Sequence, residues 1–397
     1  MTMPRLGLSH LLRVSVLVLL GVGFLCGTPS VNAQCPGPGT TLVGGLQGPT
    51  KIIQSPIGNL IVAETGPAVE NSGRVSIVGL DGTRRTLLAG LPSGENSFGD
   101  FAGTQGVFLQ GRTLYVLNGE GDATLPGPFP GAELPNLSPA SPIISSILAV
   151  HFSAAAERNT TGFTLTLADH QALKDGATLR FDNGGGDKIT VKLIADFPNY
   201  VPDPLPGFPA NVDHANPFGI IAIGDQLYVV DGGLNNLLQV DIATGNISVL
   251  ATFPVIPNPL PFGPPVMEAV PTSVREYNGQ LLVTLFRGFP FAPGTADVVQ
   301  VDPVTGAVTP FIDGLTSAID VLPVKSKGQT SFLTLEISVN FLAGLPGRLQ
   351  RFPTPAGPGV PISNCLIGPS NMVLDEKTGT LYITSIFTGQ IIKITGQ

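Results

Sequence analysis

The stretch EAVPTSVREYNGQLLVTLFRGFPFAPGTADVVQVD, residues 268–302, decides the fold. It reads as a strand over Thr272–Arg275, a turn on Asn278-Gly279 and a second strand over Leu281–Thr284. Asn-Gly between two apolar runs is a strong hairpin signal, because both residues tolerate φ > 0. A loop dense in Gly, Pro and Phe follows at Arg287–Thr295, and a third strand is expected at Asp297–Val301.

Working outward, the same order of strands recurs six times. The second strands begin at Leu60, Leu114, Leu227, Leu281, Phe332 and Leu381, so the spacings are 54, 113, 54, 51 and 49 residues. Fourth strands follow in most copies, at Arg84–Leu88, Asn246–Thr252 and Ala307–Ile312. Four short antiparallel strands per repeat, with almost no helical periodicity, predict an all-β, six-bladed β-propeller. The last copy ends after its third strand at Ile394, while an orphan strand, Thr40–Leu46, precedes the first copy. Pairing the two would close the ring. The doubled interval is expected to hold an insertion at about residues 153–187 in blade two, with Lys188–Phe197 as a delayed fourth strand. A hidden seventh blade is the alternative.

Composition agrees with stacked sheets. Gly 50 and Pro 38 lie between apolar runs, only 12% of residues are charged, and mean hydropathy is +0.32. Strands buried on both faces read this way. The net charge of −8 excludes a nucleic-acid partner. Arg5 and Arg13, a short apolar run over Val14–Cys26, and Val31-Asn-Ala33 predict a signal peptide over residues 1–33. The single propeller domain then spans 34–397, secreted or periplasmic or at the cell surface, with no membrane span after cleavage. Cleavage leaves Cys35 and Cys365 as a candidate disulfide in an oxidising compartment. Strand register places them near opposite ends of adjacent outer strands, which favours a bridge only if Pro36-Gly-Pro-Gly39 turns back.

Asn216-Pro-Phe-Gly, Leu227–Asp241, Met267-Glu-Ala-Val-Pro-Thr272 and Gly288-Phe-Pro-Phe-Ala-Pro-Gly294 resemble the ScyD/ScyE family of exported proteins. The resemblance covers most of the chain after residue 33. It implies a six-bladed propeller related to NHL and gluconolactonase-like propellers, while leaving the biochemical role open. Arg287 and the insertion depart from the family pattern.

In a propeller, the loops that enter the inner strands share one face with those joining second to third strands, and ligands commonly bind there. Residues ending the second strands map to it, so Glu64, Asn118, Asp231 and Glu336 are candidate oxygen ligands for Ca²⁺ or Mg²⁺ at the channel mouth, with Glu268 and Asp320 able to join them. The competing reading makes them turn residues that cap their own backbone. Arg287, Phe289 and Phe291, with Asn216 and Asn235, are candidate ligand contacts, the alternative being that the rings pack between blades. No nucleophile motif is present, which favours binding of a small molecule, glycan or protein over catalysis. The alternative is a metal-assisted, lactonase-like hydrolase or an accessory protein of pigment biosynthesis, for which Glu268, Glu336 and His214 are the candidate acid–base residues.

Overall fold

The computed structural model describes residues 39–326 and 328–397. The expected signal peptide and Cys35 lie outside the described residues. Six sheets, each built on four antiparallel strands with a fifth added in blades one and two, stand around an axis, and their inner strands are Pro49–Gln54, Thr104–Gln110, Pro217–Ile223, Pro271–Tyr277, Ala318–Ser326 and Pro369–Asp375. Each inner strand packs against those of the two neighbouring blades, and the last packs back on the first.

The template of blade four forms as its sequence dictates. Asn278 and Gly279 take φ of 51° and 75°, and the turn registers Tyr277 opposite Gln280. Its four strands, Pro271–Tyr277, Gln280–Leu285, Ala296–Val301 and Val308–Leu315, follow one another outward in chain order. Second strands are sandwiched between neighbouring blades, so Leu60–Glu64 and Thr380–Ser385 are buried along their whole length. The core is therefore spread between the sheets and not gathered at one centre. Between blades four and five, Phe332 meets Tyr277 at 5.0 Å and Phe311 at 4.9 Å, both edge to face. Inner strands approach closely where the side chain is absent: a Cβ at Gly219 would stand 3.0 Å from the Thr272 carbonyl oxygen.

Ring closure uses the N-terminal strand. Thr40–Val43 pairs antiparallel with Gln390–Ile394 as the fourth strand of the last blade. The doubled interval holds no seventh blade. Lys188–Asp196 is the fourth strand of blade two, pairing with Ser146–Phe152. Between them run helix α1 (Ala154–Asn159), helix α2 (Leu167–Lys174), and a strand, Thr178–Asp182, that extends blade two to five strands. Residues Phe163–Thr164 pair parallel with the fourth strand of blade one, so the segment straps two blades together. On α2, His170 is buried, hydrogen-bonds the Gly90 carbonyl through Nε2 at 2.7 Å and meets Ser141 Oγ at 3.0 Å through Nδ1. Burial lowers its pKa, in keeping with a neutral ring that clamps the strap.

Candidate metal centre

The turns joining inner to second strands are tight, whereas the opposite face carries long loops. Four extra two-stranded hairpins sit there: Gly94–Glu95 with Phe101–Ala102, Thr124–Pro126 with Glu133–Pro135, Tyr200–Pro202 with Val212–His214, and Ile256–Pro257 with Val266–Met267. The first three meet at His214.

His214 is fully buried and lies between two glutamates. Its Nδ1 is 2.8 Å from Glu133 Oε2, and its Nε2 is 3.2 Å from Glu120 Oε2. The second contact is close but out of line for a hydrogen bond. Both Nε2 and Oε2 consequently have no hydrogen-bond partner among the described residues. Glu120 accepts from Asn96 Nδ2 at 2.9 Å on its other oxygen; Glu133 accepts from Ser97 Oγ and Thr124 Oγ1. Asn211 Oδ1 accepts from the Glu133 backbone N–H, tying the second hairpin to the third. Phe98 closes the cluster edge-on to the imidazole at 5.6 Å.

Burial opposes a charged His214, but Glu133 and Glu120 overcome it and hold its pKa well above the ordinary value. Burial pushes Glu120 up to about 7 despite His214. Asp231, also buried, is pushed up in the same way and feels the same imidazole. Asp213, half-buried beside the imidazole, also favours its charged form. Glu133, Asp213 and His214 each offer one ligand atom, and these atoms all lie within 4.8 Å of one another.

The carboxylates expected from the strand ends are used within their own blades. Glu64 accepts from Arg74 at 2.7 Å, from Ser76 and from the Gln47 backbone. Glu336 accepts from Arg348, from Gln350 and from the Thr316 backbone at 2.6 Å. Asp231 accepts three backbone N–H groups, from Asn216, Gly233 and Leu234. Asn118 donates to Ser146 Oγ at 3.1 Å. Three of these four thus fasten the loop that leads into their own blade's inner strand. Asp320 lies in the channel with Arg275, and Glu268 accepts from Asn235 Nδ2 at 2.8 Å.

The Arg287–Thr295 loop is drawn into the core. Phe291 is buried with Phe286 and Phe341 between blades four and five, and Phe289, half-buried, packs on its edge. Arg287 takes φ of 70°, is buried, and bonds Asp297 at 3.1 Å and the Pro254 carbonyl at 3.3 Å. Arg287→Ala is therefore expected to lower stability by about 1–3 kcal/mol by orphaning these acceptors, measured as the shift in denaturant midpoint. Asn235 bridges Glu268 and the Val270 N–H, and Asn216, also buried, has an Oδ1 without a partner among the described residues. Cys365 is disulfide-bonded, and the other half of its bridge lies outside the described residues, as Cys35 does.

The sequence placed His214 on this face but missed Glu120, Glu133 and Asp213 as its neighbours. Glu133 is 81 residues away, inside the proline-rich tract Leu125–Pro142. Only the Asp213-His214 pair was a local signal.

Comparison with known proteins establishes the class. The chain is a six-bladed β-propeller, similar to the PQQ-bound aldose sugar dehydrogenase of Streptomyces coelicolor with a TM-score of 0.51 and 15% identity, over 90% of this chain and 96% of that one. Two Bacteroides thetaiotaomicron structures are also similar. One is a protein of unknown function (TM-score 0.48, 12% identity, 90% of this chain, 75% of that one). The other is an auxiliary nutrient binding protein (TM-score 0.48, 10% identity, 88% of this chain, 69% of that one). No protein-family model matches the chain, and no curated protein matches it.

Proposed function

We propose that this chain is an exported, ScyD/ScyE-like binding propeller whose loop face is organised by a divalent cation held by Glu133, Asp213 and His214. The observation that carries this reading is the convergence of three hairpins from two blades on one buried imidazole flanked by carboxylates. Glu120, 3.2 Å from the ring nitrogen opposite Glu133, sets a second buried carboxylate beside the imidazole. A donor set of one imidazole and two carboxylates suits Mn²⁺ or Zn²⁺ better than the all-oxygen Ca²⁺ or Mg²⁺ site expected at the strand ends. A bound cation would fix the three hairpins, which then present a small molecule, glycan or partner with a stiff surface beside the channel mouth. The hydrolase alternative is less well supported, because Glu336 is already committed to Arg348 and Glu268 to Asn235.

Thermal unfolding with and without EDTA tests this. Saturating Mn²⁺ at about 100 times its Kd should add about 2.7 kcal/mol, and EDTA should remove it. Asp213→Asn should lose most of that difference while keeping the fold. Identical melting of the wild type in EDTA and in Mn²⁺ or Zn²⁺ would overturn the reading.

A further inference from the structure

The channel holds a second polar cluster, whose charged side chains come from blades one, four and five. Lys51, from the inner strand of blade one, is buried and reaches across the axis to donate to the Thr272 carbonyl of blade four at 2.9 Å. Its Nζ also stands 4.5 Å from the centre of the Phe218 ring of blade three. Arg275 of blade four pairs with Asp320 of blade five through Nε and Nη2, at 3.1 and 2.6 Å, and donates to the Met372 carbonyl. Asn371 of blade six donates to the same carboxylate at 2.6 Å.

Beside this cluster lies a cavity of about 70 Å³ lined by Lys51, Arg275 and Asn371 on one side and by Ile53, Phe108 and Val274 among its apolar walls. Ile53, Phe108 and Arg275 stand toward the ends of their inner strands nearest the tight turns, and each is partly exposed, so the cavity opens on the face opposite the hairpins.

The acceptors around this cavity are spent and the donors are not. Asp320 already takes Arg275 twice, Asn371, and the backbone N–H groups of Met372 and Val321. Asn371 Oδ1 is taken by the Ile52 N–H at 3.0 Å. Lys51 has three N–H donors, of which one is bonded to Thr272. Two cations also share a single carboxylate, so a protonated Lys51 leaves the channel with one uncompensated positive charge. Donors without acceptors, surplus positive charge and apolar walls describe the complement of a short carboxylate.

We propose that the central channel binds a small monocarboxylate of formate or acetate size, taken in from the tight-turn face, with its oxygens on Lys51 and its apolar remainder against Ile53, Phe108 and Val274. Binding is coupled to a proton. Burial, partly offset by Asp320 and reinforced by Arg275, lowers Lys51 from 10.5 to about 7, and these are the charged groups that face it. An anion prefers the protonated amine, so affinity rises as pH falls through that value.

The test is calorimetric titration of sodium acetate into the full chain in carboxylate-free buffer at pH 6 and pH 8, with sodium chloride as the ionic-strength control. Acetate should bind at pH 6 and about tenfold more weakly at pH 8, because one unit either side of a pKa near 7 changes the protonated fraction by about that factor. Lys51→Met should abolish binding at both values. Lys51→Arg, which stays charged, should bind with little dependence on pH. Equal affinity at the two pH values in the wild type, no binding at pH 6, or binding undiminished in Lys51→Met would each overturn the proposal. Addition of EDTA should leave the result unchanged, which separates this site from the hairpin cluster.

Discussion

Asp320→Ala is expected to destabilise the protein by about 3–5 kcal/mol, the range for removing one partner of a buried ion pair. The side chain is fully buried, and its two oxygens take Arg275 of blade four, Asn371 and the Met372 N–H of blade six, and the Val321 N–H of its own strand. Its removal would leave the Arg275 guanidinium, 20% exposed, without its counter-charge at the ring axis. Three blades would lose a common anchor at once. Asp320→Asn should recover little, since one amide group must then turn donors toward Arg275 or Asn371. Equilibrium denaturation decides it: a midpoint shift of that size at unchanged slope is expected. A loss below about 1 kcal/mol, the scale of an exposed pair, would mean that the network does not hold the ring.

Loss of the closing strand should have a comparable effect, different in kind. A chain beginning at residue 47 lacks Thr40–Val43, which pairs with Gln390–Ile394, and Leu46, which is buried with Ile52, Tyr382 and Ile391. Leu46 also donates its N–H to the Gly389 carbonyl. Without them, the outer edge of the last blade presents unpaired backbone groups, a template for association with a second chain. The expected result is a lower melting temperature together with dimers or larger species in size-exclusion chromatography, compared with a chain beginning at residue 34. Equal melting and a single monomer peak for both would show that the ring does not depend on this closure.

The architecture was legible because its signals are local and repeated. Asn278-Gly279 fixes a hairpin by itself, the second strands recur at near-constant spacing apart from one doubled interval, and the orphan strand Thr40–Leu46 has one open edge to fill. Residues 153–187 lacked the repeat's own motif, so an insertion could be separated from a blade. Side-chain roles were harder, because they depend on partners brought together only by the ring. Glu64 and Glu336 looked like candidate ligands in isolation. Their cross-strand partners, Arg74 and Arg348, each follow a glycine at the start of the third strand, Gly73-Arg74 and Gly347-Arg348. That recurring Glu and Gly-Arg combination was present in the sequence and marks an ion pair internal to the blade. The aromatic loop Arg287–Thr295 was equally open to ligand contact or packing. In the fold, Phe291 packs against the neighbouring Phe286 and the distant Phe341. No local pattern connects Glu120 and Glu133 to His214, since the loops that carry them meet only across blades.

The most direct measurement is the metal content of the full chain after equilibration with Mn²⁺ or Zn²⁺ and removal of unbound ion, by inductively coupled plasma mass spectrometry. One cation per chain is predicted for the wild type, with loss of that cation in His214→Ala and in Asp213→Asn. Wild-type protein that retains neither ion, or variants that retain as much as the wild type, would contradict a metal centre at Glu133, Asp213 and His214.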